Sequence, residues 1–429
     1  MNFIPCFLWA ALALSPIPAL AAEKTPRELI AEVPERSGGI YYAYPHTNDI
    51  MPEIPKGYQV AFISHYGRHG SRWIIKTWEY HESIAALDSA AQHNGLTPLG
   101  NDVLRRLRII EAQARGNEGA LSPKGEAQHR GIAERLLLRF PDFLNDSARI
   151  EAYSSTEPRC IMSMAAFCER MKELKPGLTI KRHASPGDMA FISWSNPEIK
   201  AVNKPDSPWW KDLEDWRDSV LNPQRLIASL FTEPSGVANP TRLMWMLHDV
   251  AVDVQDVDPG VELLDIFTTD ELYNLWQALN YKMYYLHGNN PATDAGGPRS
   301  ARSLLDHIVA DVDSAATGSR PHRAATGSRP HRAATLRFGH DTALLRLLAL
   351  AKIEGAAEVV DNPEEYADHW QDFALTPMAA NLQIILLTSC EGKEPLVHIR
   401  HNERPAVLPI KNAHRYFYPW AEVRSLWKE

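Results

Sequence analysis

Two arginines, one histidine and two glycines lie within six residues, at positions 67–72 of a 429-residue chain. Guanidinium groups held this close repel each other unless an anion lies between them, and their planar, bidentate donors suit phosphate. His69 lies between Arg68 and Arg72 and can act as a nucleophile at neutral pH, while Gly70 allows close backbone approach. The segment therefore predicts a loop that binds an oxyanion and presents a nucleophilic histidine.

Side chains of the same kind follow two further predicted strands. Arg159 comes after the strand expected at 149–154. His340 and Asp341 come after the strand expected at 335–338. The carboxyl ends of parallel strands meet in one crevice, where helix N-termini add backbone N–H donors for an anion. We therefore expect these side chains to complete one phosphate pocket together with the first loop.

The residue types suggest a separate role for each side chain in phosphoryl transfer. This reaction depends mainly on positive charge around the three equatorial oxygens of the transferred group. That charge would come from three arginines: Arg68, Arg72 and Arg159. His69 would attack in line, and His340 would hold a further oxygen. Asp341 would protonate the leaving alcohol, which requires its pKa to be raised toward the working pH and implies an acidic optimum.

The first loop resembles the R-H-G-x-R-x-P signature of the histidine acid phosphatases, with Ile74 in place of the final proline. Positions 339–342 (G-H-D-T) are similar to the H-D element found in acid phosphatases and bacterial phytases of that family. The segment 377–382 resembles the multiple inositol polyphosphate phosphatases, which usually carry H-A-E in place of H-D. The chain therefore combines features of two branches.

The resemblance implies specific roles for these residues. His69 would attack phosphorus and form a phosphohistidine, and Asp341, next to His340 in the H-D element, would be the proton donor. Arg159 lies where the family places a third phosphate-binding arginine. The resemblance also implies a phosphoglycerate-mutase-like fold and an activity that needs no metal or other cofactor.

The predicted elements are those of an α/β protein. A buried strand is expected at 60–63, and N-cap residues followed by proline predict helix starts at Thr97-Pro98 and Ser122-Pro123. The alternation of strands and helices favours a largely parallel sheet flanked by helices. Strands at 396–400 and 406–410 are expected to form a closing antiparallel hairpin.

Residues 186–300 differ in composition and predict a mostly helical domain, inserted between two α/β segments at 23–185 and 301–429. Six of the 12 tryptophans and 17 acidic against 8 basic residues lie in this region. Its net charge of −9 leaves about +1 for the rest of the chain, whose total is −8. The total net charge of −8 argues against nucleic acid or an anionic membrane surface as the main partner.

Residues 1–22 carry no charged side chain and contain a short apolar run followed by Ala19-Leu20-Ala21. This pattern predicts a cleaved signal peptide and export to the periplasm or the extracellular space. No other run approaches the length of a membrane span. Cys160 and Cys168 are too far apart on a predicted helix to form a disulfide, whereas Cys390 could pair with one of them.

The nine-residue segment A-A-T-G-S-R-P-H-R occurs twice, at 315–323 and 324–332, and a third copy begins at 333–335. Two copies are too few for a solenoid, so a lengthened surface turn is the expected structure. The alternative is a basic flap over the phosphate site, formed by four arginines: Arg320, Arg323, Arg329 and Arg332.

Together these features predict an exported phosphomonoesterase that works without metal on a small phosphomonoester. Family resemblance suggests inositol phosphates including phytate, whereas the acidic inserted region favours a sugar phosphate or a general acid-phosphatase substrate. Two alternatives remain open: a metal-dependent phosphoesterase and a non-catalytic phosphate-binding protein. His65, four residues before His69, has the spacing of a helical metal pair, but its segment is predicted as strand and loop. The oligomeric state is not predicted.

Overall fold

The computed structural model of the protein describes residues 24–45, 51–192, 196–204, 207, 209–318 and 332–428. The expected signal peptide at 1–22 lies outside these residues and stays a prediction. Within the described part of the chain, no helix is both long and apolar enough to cross a membrane.

The described residues form one eight-stranded sheet. Its strands are β1 (Tyr58–Arg68), β2 (Arg149–Ser154), β3 (Thr179–His183), β4 (Arg332–Gly339), β5 (Asn381–Ser389), β6 (Leu396–His401), β7 (Arg404–Pro405) and β8 (Phe417–Pro419). The order is β3-β2-β4-β1-β5-β6-β7, and β8 also pairs with β6. Strands β3, β2, β4 and β1 are parallel, whereas the β5–β8 half pairs antiparallel. The predicted α/β class is confirmed, and the parallel half carries the three strand ends of interest.

Helices account for most of the remaining described residues. The α-helices are α1 (Pro26–Glu32), α2 (Trp78–Ala91), α3 (Pro98–Ala114), α4 (Pro123–Arg139), α5 (Pro158–Leu174), α6 (Met189–Ile192), α7 (Pro197–Val202), α8 (Trp209–Val220), α9 (Gln224–Leu230), α10 (Pro240–Val257), α11 (Thr269–His287), α12 (Gly296–Arg299), α13 (Arg302–Gly318), α14 (Asp341–Leu350), α15 (Tyr366–His369), α16 (Asp372–Leu375) and α17 (Trp420–Leu426). Shorter 3₁₀ segments lie at Pro34–Tyr41, Pro186–Asp188, Pro234–Gly236, Leu264–Ile266, Pro291–Thr293 and Pro363–Glu365.

Both faces of the sheet are covered by helices. Phe62 and Ile63 are neighbours on β1 and point to opposite faces, as strand geometry requires. Phe62 packs in a hydrophobic cluster with α13 and α14, whereas Ile63 packs in another cluster with α4 and α5. Because β1 is buried on both sides, its sequence is a nearly continuous apolar run rather than an alternating one.

The two helix starts predicted from N-cap residues are confirmed. The Thr97 hydroxyl accepts a hydrogen bond from Gly100 N at 3.1 Å, which caps α3. The Ser122 hydroxyl accepts one from Gly125 N at 3.2 Å, which caps α4. These caps satisfy N–H groups that have no partner within the helix, so short local signals fix where the helices begin.

The described residues of 186–300 are mainly helical. Helices α9, α10 and α11 share a hydrophobic cluster with α2 and α3, which come from the segment between β1 and β2. The helical part of the molecule is therefore built from two stretches of the chain. Whether 186–300 is a separate domain stays a prediction.

The predicted strand at 406–410 is wrong. Asn402 and Glu403 form a tight turn with φ of 48° and 63°, but the returning strand, β7, is only two residues long. Beyond it, β8 pairs with Leu396–His398 and occupies the edge of β6 that the predicted strand would have used. Pro405 also lacks the N–H that a ladder needs.

Two further predictions have structural outcomes. Cys160, Cys168 and Cys390 are all free, so the expectation that the first two do not bridge is confirmed. Of the four arginines in the proposed basic flap, three lie outside the described residues. The fourth, Arg332, is the first residue of β4, whereas His340 follows the last residue of the same strand. Arg332 forms an ion pair with Asp311 there, so it does not cover the carboxyl ends of the strands.

Candidate active site

The three strand ends converge at one edge of the sheet. Arg68, the last residue of β1, pairs with Gly339 of β4, and β2 ends level with the same position. The His69 N–H then donates to the Gly339 carbonyl at 2.9 Å. This contact holds the first loop against the third, and the rings of His69 and His340 lie 5.8 Å apart, edge to face.

His69 is buried, and its Nδ1 lies 2.9 Å from the carbonyl oxygen of Gly70. A carbonyl oxygen only accepts, so Nδ1 carries the proton and Nε2 holds the lone pair. Burial, followed by the charges of nearby arginines, lowers the pKa of His69 well below its usual value. The ring is therefore neutral, with one nitrogen able to attack an electrophile.

Arg68 is completely buried and fixed by three separate elements. Its Nη1 donates to the carbonyl oxygens of Ile40 and Thr376, the latter at 2.7 Å. Its Nη2 forms an ion pair with Asp341 at 3.0 Å. Because these partners come from distant parts of the chain, the guanidinium position depends on the complete fold.

Arg72 and Arg159 are held by fewer contacts than Arg68, and Arg72 Nη1 donates to the carbonyl oxygen of Trp73 at 2.9 Å. Arg72 stacks over the ring of Tyr41, with 5.3 Å between Cζ and the ring centroid, a cation–π contact. Arg159 is half-buried and forms an ion pair with Glu157, two residues earlier in the chain, with 3.1 Å between Nη1 and Oε2.

Each active-site arginine has at least one buried donor atom without a hydrogen-bond partner in the described part of the chain. The Nε atoms of Arg68, Arg72 and Arg159 are buried and find no hydrogen-bond partner among the described residues. Buried donors of this kind cost free energy unless they are satisfied. Three charged donors around one histidine are therefore chemically suited to an oxyanion.

His340 is buried and occupies the N-cap position of α14, where its side chain makes no capping hydrogen bond. Its backbone N–H donates to the Tyr66 hydroxyl at 3.3 Å. Its Nε2 lies 3.1 Å from Ser155 Oγ and 3.7 Å from Cys160 Sγ. Burial lowers the pKa of His340 to about 3, so this ring is neutral as well. A neutral imidazole can hold an anion by hydrogen bonding without adding a second titrating charge.

Asp341 corrects one expectation from the sequence. Burial favours a raised pKa, but Arg68, His340 and the Thr342 N–H, which donates at 2.6 Å, outweigh it and lower the pKa of Asp341 to about 2. In the unliganded site this carboxyl is therefore ionised, and the expected rise in its pKa is wrong for that state. Any proton that it donates must arrive with the substrate or after substrate binding.

Two glycines let the loop pack directly against α4. A Cβ atom on Gly70 would lie 2.5 Å from the Gly125 carbonyl oxygen, and a Cβ on Gly125 would lie 2.2 Å from the Ser71 carbonyl oxygen. Neither distance is possible for a real side chain, so larger residues would displace the loop or the helix. The loop thus sits on the first turn of α4.

The segment that resembles the inositol polyphosphate phosphatases holds the same loop from the other side. Ala379 N donates to the His69 carbonyl at 2.9 Å, and the Ala380 carbonyl accepts from Arg68 N at 2.8 Å. Ala379 has φ of 58°, an uncommon conformation for a residue with a side chain. These two backbone hydrogen bonds fix the positions of Arg68 and His69.

The structure brings together every site residue proposed from the sequence and adds several that sequence reasoning missed. Ser155 belongs to a polar run beside Arg159, and its place at a strand end is a signal that could have identified it. Tyr41 and Asp256 have no such signal, because they belong to a 3₁₀ segment and to α10, far from the three junctions.

The other histidine near the loop is a core residue. His65 lies inside β1, completely buried, with ring centroids 5.1 Å from Phe167 and 5.7 Å from Phe338. It does not form a helical pair with His69. Among the described residues, no group of three or more histidine, cysteine or acidic side chains is arranged as a metal site.

Comparison with known proteins was made by family and by structure. A family model described as the histidine phosphatase superfamily (branch 2) matches residues 67–402, which is most of the chain. A search of curated protein sequences found no match.

Two solved structures show the same fold. The multiple inositol polyphosphate phosphatase of Bifidobacterium longum, in complex with inositol hexasulfate, has a TM-score of 0.74 and 18% identity over 91% of this chain and 97% of that chain. The phytase from D. castellii has a TM-score of 0.67 and 15% identity over 92% of this chain and 84% of that chain. At these identities the similarity concerns the fold.

We expect inorganic phosphate to stabilise the protein. A ligand that binds only the folded state at about 100 times its Kd adds about 2.7 kcal/mol, so the Tm should rise by several degrees. Arg159→Met should remove most of this rise, because it deletes one of the unused buried donors. Arg130→Met is the matched control, since Arg130 pairs with Glu173 on the helix surface. Thermal unfolding with a phosphate titration measures both, and an equal shift in all three proteins would contradict phosphate binding by Arg159.

Proposed function

Because the family match covers residues 67–402, the chain belongs to branch 2 of the histidine phosphatase superfamily, and we propose that this phosphomonoesterase works through a phosphohistidine formed on His69. The observation that supports this most directly is the hydrogen bond between His69 Nδ1 and the Gly70 carbonyl. It leaves Nε2 unprotonated among three guanidinium groups, which is the state that a nucleophile toward phosphorus needs.

The proposed reaction has two steps. In the first, His69 Nε2 attacks phosphorus, and the bond from phosphorus to the ester oxygen breaks. The arginines and His340 hold the equatorial oxygens, where negative charge is distributed in the transition state. In the second step, water attacks the phosphohistidine, the phosphorus–nitrogen bond breaks and inorganic phosphate leaves. Asp341 gives a proton to the leaving oxygen and later accepts one from water.

The low pKa of Asp341 in the unliganded site is compatible with this role. Arg68 is the largest single cause of the low value, at 3.0 Å from the carboxylate. A bound phosphoryl group brings negative charge next to Arg68 and Asp341, which favours the protonated carboxyl. Below a second pKa of about 6, a phosphomonoester also carries a proton of its own into the site. Both effects favour turnover at acidic pH.

The cavity beside Arg72 bears on the choice of substrate. It is lined by Tyr41, Arg72, Ile74, Ile75, Lys76, Glu79, Asp249 and Asp253. Three of these side chains are carboxylic acids and one is lysine. Burial, followed by the charge of Glu79, raises the pKa of Asp249 well above its usual range. Burial raises the pKa of Asp253 in the same way. A leaving group with hydroxyls can bond to such a wall, whereas a second phosphate would meet the carboxylate of Glu79.

We therefore favour a sugar phosphate or a general phosphomonoester over phytate. The alternative is phytate or another inositol phosphate, since two structurally similar proteins are a multiple inositol polyphosphate phosphatase and a phytase.

The proposed cellular location rests on sequence alone. The composition of residues 1–22 is that of a signal peptide, and we propose that the enzyme works in the periplasm or outside the cell. N-terminal sequencing of the protein recovered from its native host checks this. An intact N-terminus in the active protein would contradict it.

We expect His69→Ala to lose turnover of p-nitrophenyl phosphate, because the nucleophile is gone. Brief reaction of the native protein with ³²P-labelled substrate, followed by quenching in alkali, should trap one acid-labile phosphate, and the variant should trap none. His93→Ala is the control, since His93 is an exposed histidine beyond α2.

The same assay separates the two alternatives. A metal-dependent hydrolase would lose activity after treatment with a chelator and regain it with metal, and no protein-bound phosphate would be trapped. A non-catalytic phosphate-binding protein would bind phosphate but release none from p-nitrophenyl phosphate. Either result would contradict the phosphohistidine mechanism.

We expect Asp341→Asn to slow poor leaving groups far more than good ones. An alkyl phosphate needs a proton on its leaving oxygen, and loss of general acid catalysis costs about 10²–10⁴-fold. p-Nitrophenolate leaves without that help, so its kcat should change little. Asp306→Asn, at an exposed position of α13, is the control. A uniform loss across leaving groups of different pKa would show that Asp341 is not the proton donor.

We expect glucose phosphates to be better substrates than phytate. If the cavity repels a second phosphate, kcat/KM at pH 7 should favour the monophosphate by about tenfold or more. The preference should fall at pH 5, because burial raises the pKa of Glu79 and protonation removes its charge. Glu79→Gln should narrow that difference by improving the use of phytate. A panel of phytate, glucose phosphates and nucleotides, assayed for phosphate release, measures the preference. A clear preference for phytate would assign the enzyme to the alternative substrate class.

A further inference from the structure

Ser71 lies between His69 and Arg72 in the active-site loop. It has no role in the proposed reaction, yet its N–H, its hydroxyl and its carbonyl oxygen all form hydrogen bonds. It is completely buried. Its N–H donates to Gln128 Oε1 at 2.9 Å, and its hydroxyl donates to Asp256 Oδ1 at 2.5 Å. Its carbonyl oxygen accepts from Ser122 N at 2.9 Å. The loop is therefore tied to two helices at this one residue.

The contacts form a closed network. Gln128 Nε2 donates to Ser71 Oγ at 2.8 Å, so one amide side chain contacts both the backbone and the hydroxyl of that serine. The Ser122 hydroxyl donates to the Asp256 carbonyl at 2.7 Å, which joins the start of α4 to α10. Because every polar group of Ser71 is engaged in this network, the network fixes one arrangement of the loop against α4 and α10.

Asp256 is the charged member of this network. It is completely buried near the C-terminus of α10, and its Oδ2 has no hydrogen-bond partner among the described residues. Arg72, Arg68 and Lys124 all act electrostatically on it. A buried carboxylate that only filled space would be costly, since a neutral side chain of the same shape would serve better. Its position within the field of two phosphate-binding arginines suggests a role for the charge.

We propose that Asp256 is a positioning residue of the phosphate site, which fixes the spacing of His69 and Arg72 through Ser71 and whose negative charge weakens product binding. The proposal rests on the proposed function insofar as it assigns phosphate to this site. Arginines that bind a phosphate dianion strongly enough for catalysis also retain inorganic phosphate. Above its pKa, the Asp256 carboxylate offsets part of their charge, so phosphate is released faster than it would be beside a neutral side chain.

The two parts of the role are separated by two substitutions. Asp256→Asn keeps the oxygen that accepts from Ser71 and removes only the charge. Inorganic phosphate should then bind about tenfold more tightly above pH 7, while the bond-forming step measured in a single turnover changes little. Ser71→Ala keeps the charge and removes the hydroxyl. It should lower the single-turnover rate by about 10–100-fold through displacement of the loop, and it should weaken phosphate binding, the opposite of the effect of Asp256→Asn.

The pH dependence adds a readout that a purely structural role would not affect. Burial raises the pKa of Asp256 to about 7, against the opposing effects of Ser71, Arg72, Arg68 and Lys124. The carboxyl is therefore charged above pH 7 and neutral at pH 5. The Kd values of native and Asp256→Asn protein, compared at the same pH so that phosphate ionisation cancels, should converge at pH 5 and separate above pH 7. Asp249 and Asp253 also lie on this helix near Arg72 and are present in both proteins, and burial raises the pKa of each well above its usual range.

Isothermal titration calorimetry with inorganic phosphate and rapid-quench turnover of p-nitrophenyl phosphate measure these quantities. Asp258→Asn removes the same charge from the exposed end of α10, and Ser83→Ala removes a buried hydroxyl that bonds to the Glu79 carbonyl on α2. Both controls should behave as the native protein does.

The proposal is overturned if Asp256→Asn leaves phosphate affinity unchanged or weaker at pH 8, or if Ser71→Ala changes only the Tm. Should Asp256→Asn not fold, the Ser71→Ala result alone decides the positioning role. If the native protein binds phosphate but never turns over p-nitrophenyl phosphate, the proposed function fails, and the calorimetric comparison of Asp256→Asn still tests the effect of the charge.

Discussion

The constraint on which this site depends is the mutual repulsion of several cationic groups held in a small, largely water-excluded volume. Arg68, Arg72 and Arg159 all act on the same imidazole, that of His69. Without compensation, such an arrangement would open. The protein compensates with carboxylates and backbone carbonyls that contact Arg68 and Arg159, while the Nε donors of all three arginines find no partner among the described residues.

This compensation explains why the site requires so much of the chain. Arg68 is held by carbonyls of Ile40 and Thr376, which lie in segments before β1 and before β5. Asp341 enters from the start of α14 and Asp256 from the end of α10. A local loop could supply the cations, but their counter-charges have to come from elements that a packed fold alone brings together. In the proposed mechanism, the helical region would therefore contribute to the phosphate site as well as form a wall for the leaving group.

The sequence predicted the parts of the molecule that depend on local rules. N-cap residues followed by proline located the starts of α3 and α4, and the parallel strand ends located the junctions that meet at His69. It failed where the outcome depended on competition between distant segments. The strand at 406–410 has a suitable pattern, but β8 already pairs with that edge of β6. Asp256 could not be selected from the 17 acidic residues of 186–300, since only the fold places it beside Ser71.

Asp341 shows a different limit of sequence reasoning, because the ionisation of its carboxyl depends on the charges that surround it and not on the residue type alone. In the unliganded structure Arg68 serves as the counter-charge of Asp341. A bound phosphoryl group competes for the same guanidinium, so one cation stabilises the carboxylate in one state and the phosphate in the other. In the proposed mechanism, substrate binding would thereby prepare the acid that the next step requires. A carboxyl that was already neutral would leave Arg68 without its counter-charge, so the ion pair between Asp341 and Arg68 also offsets the repulsion among the arginines.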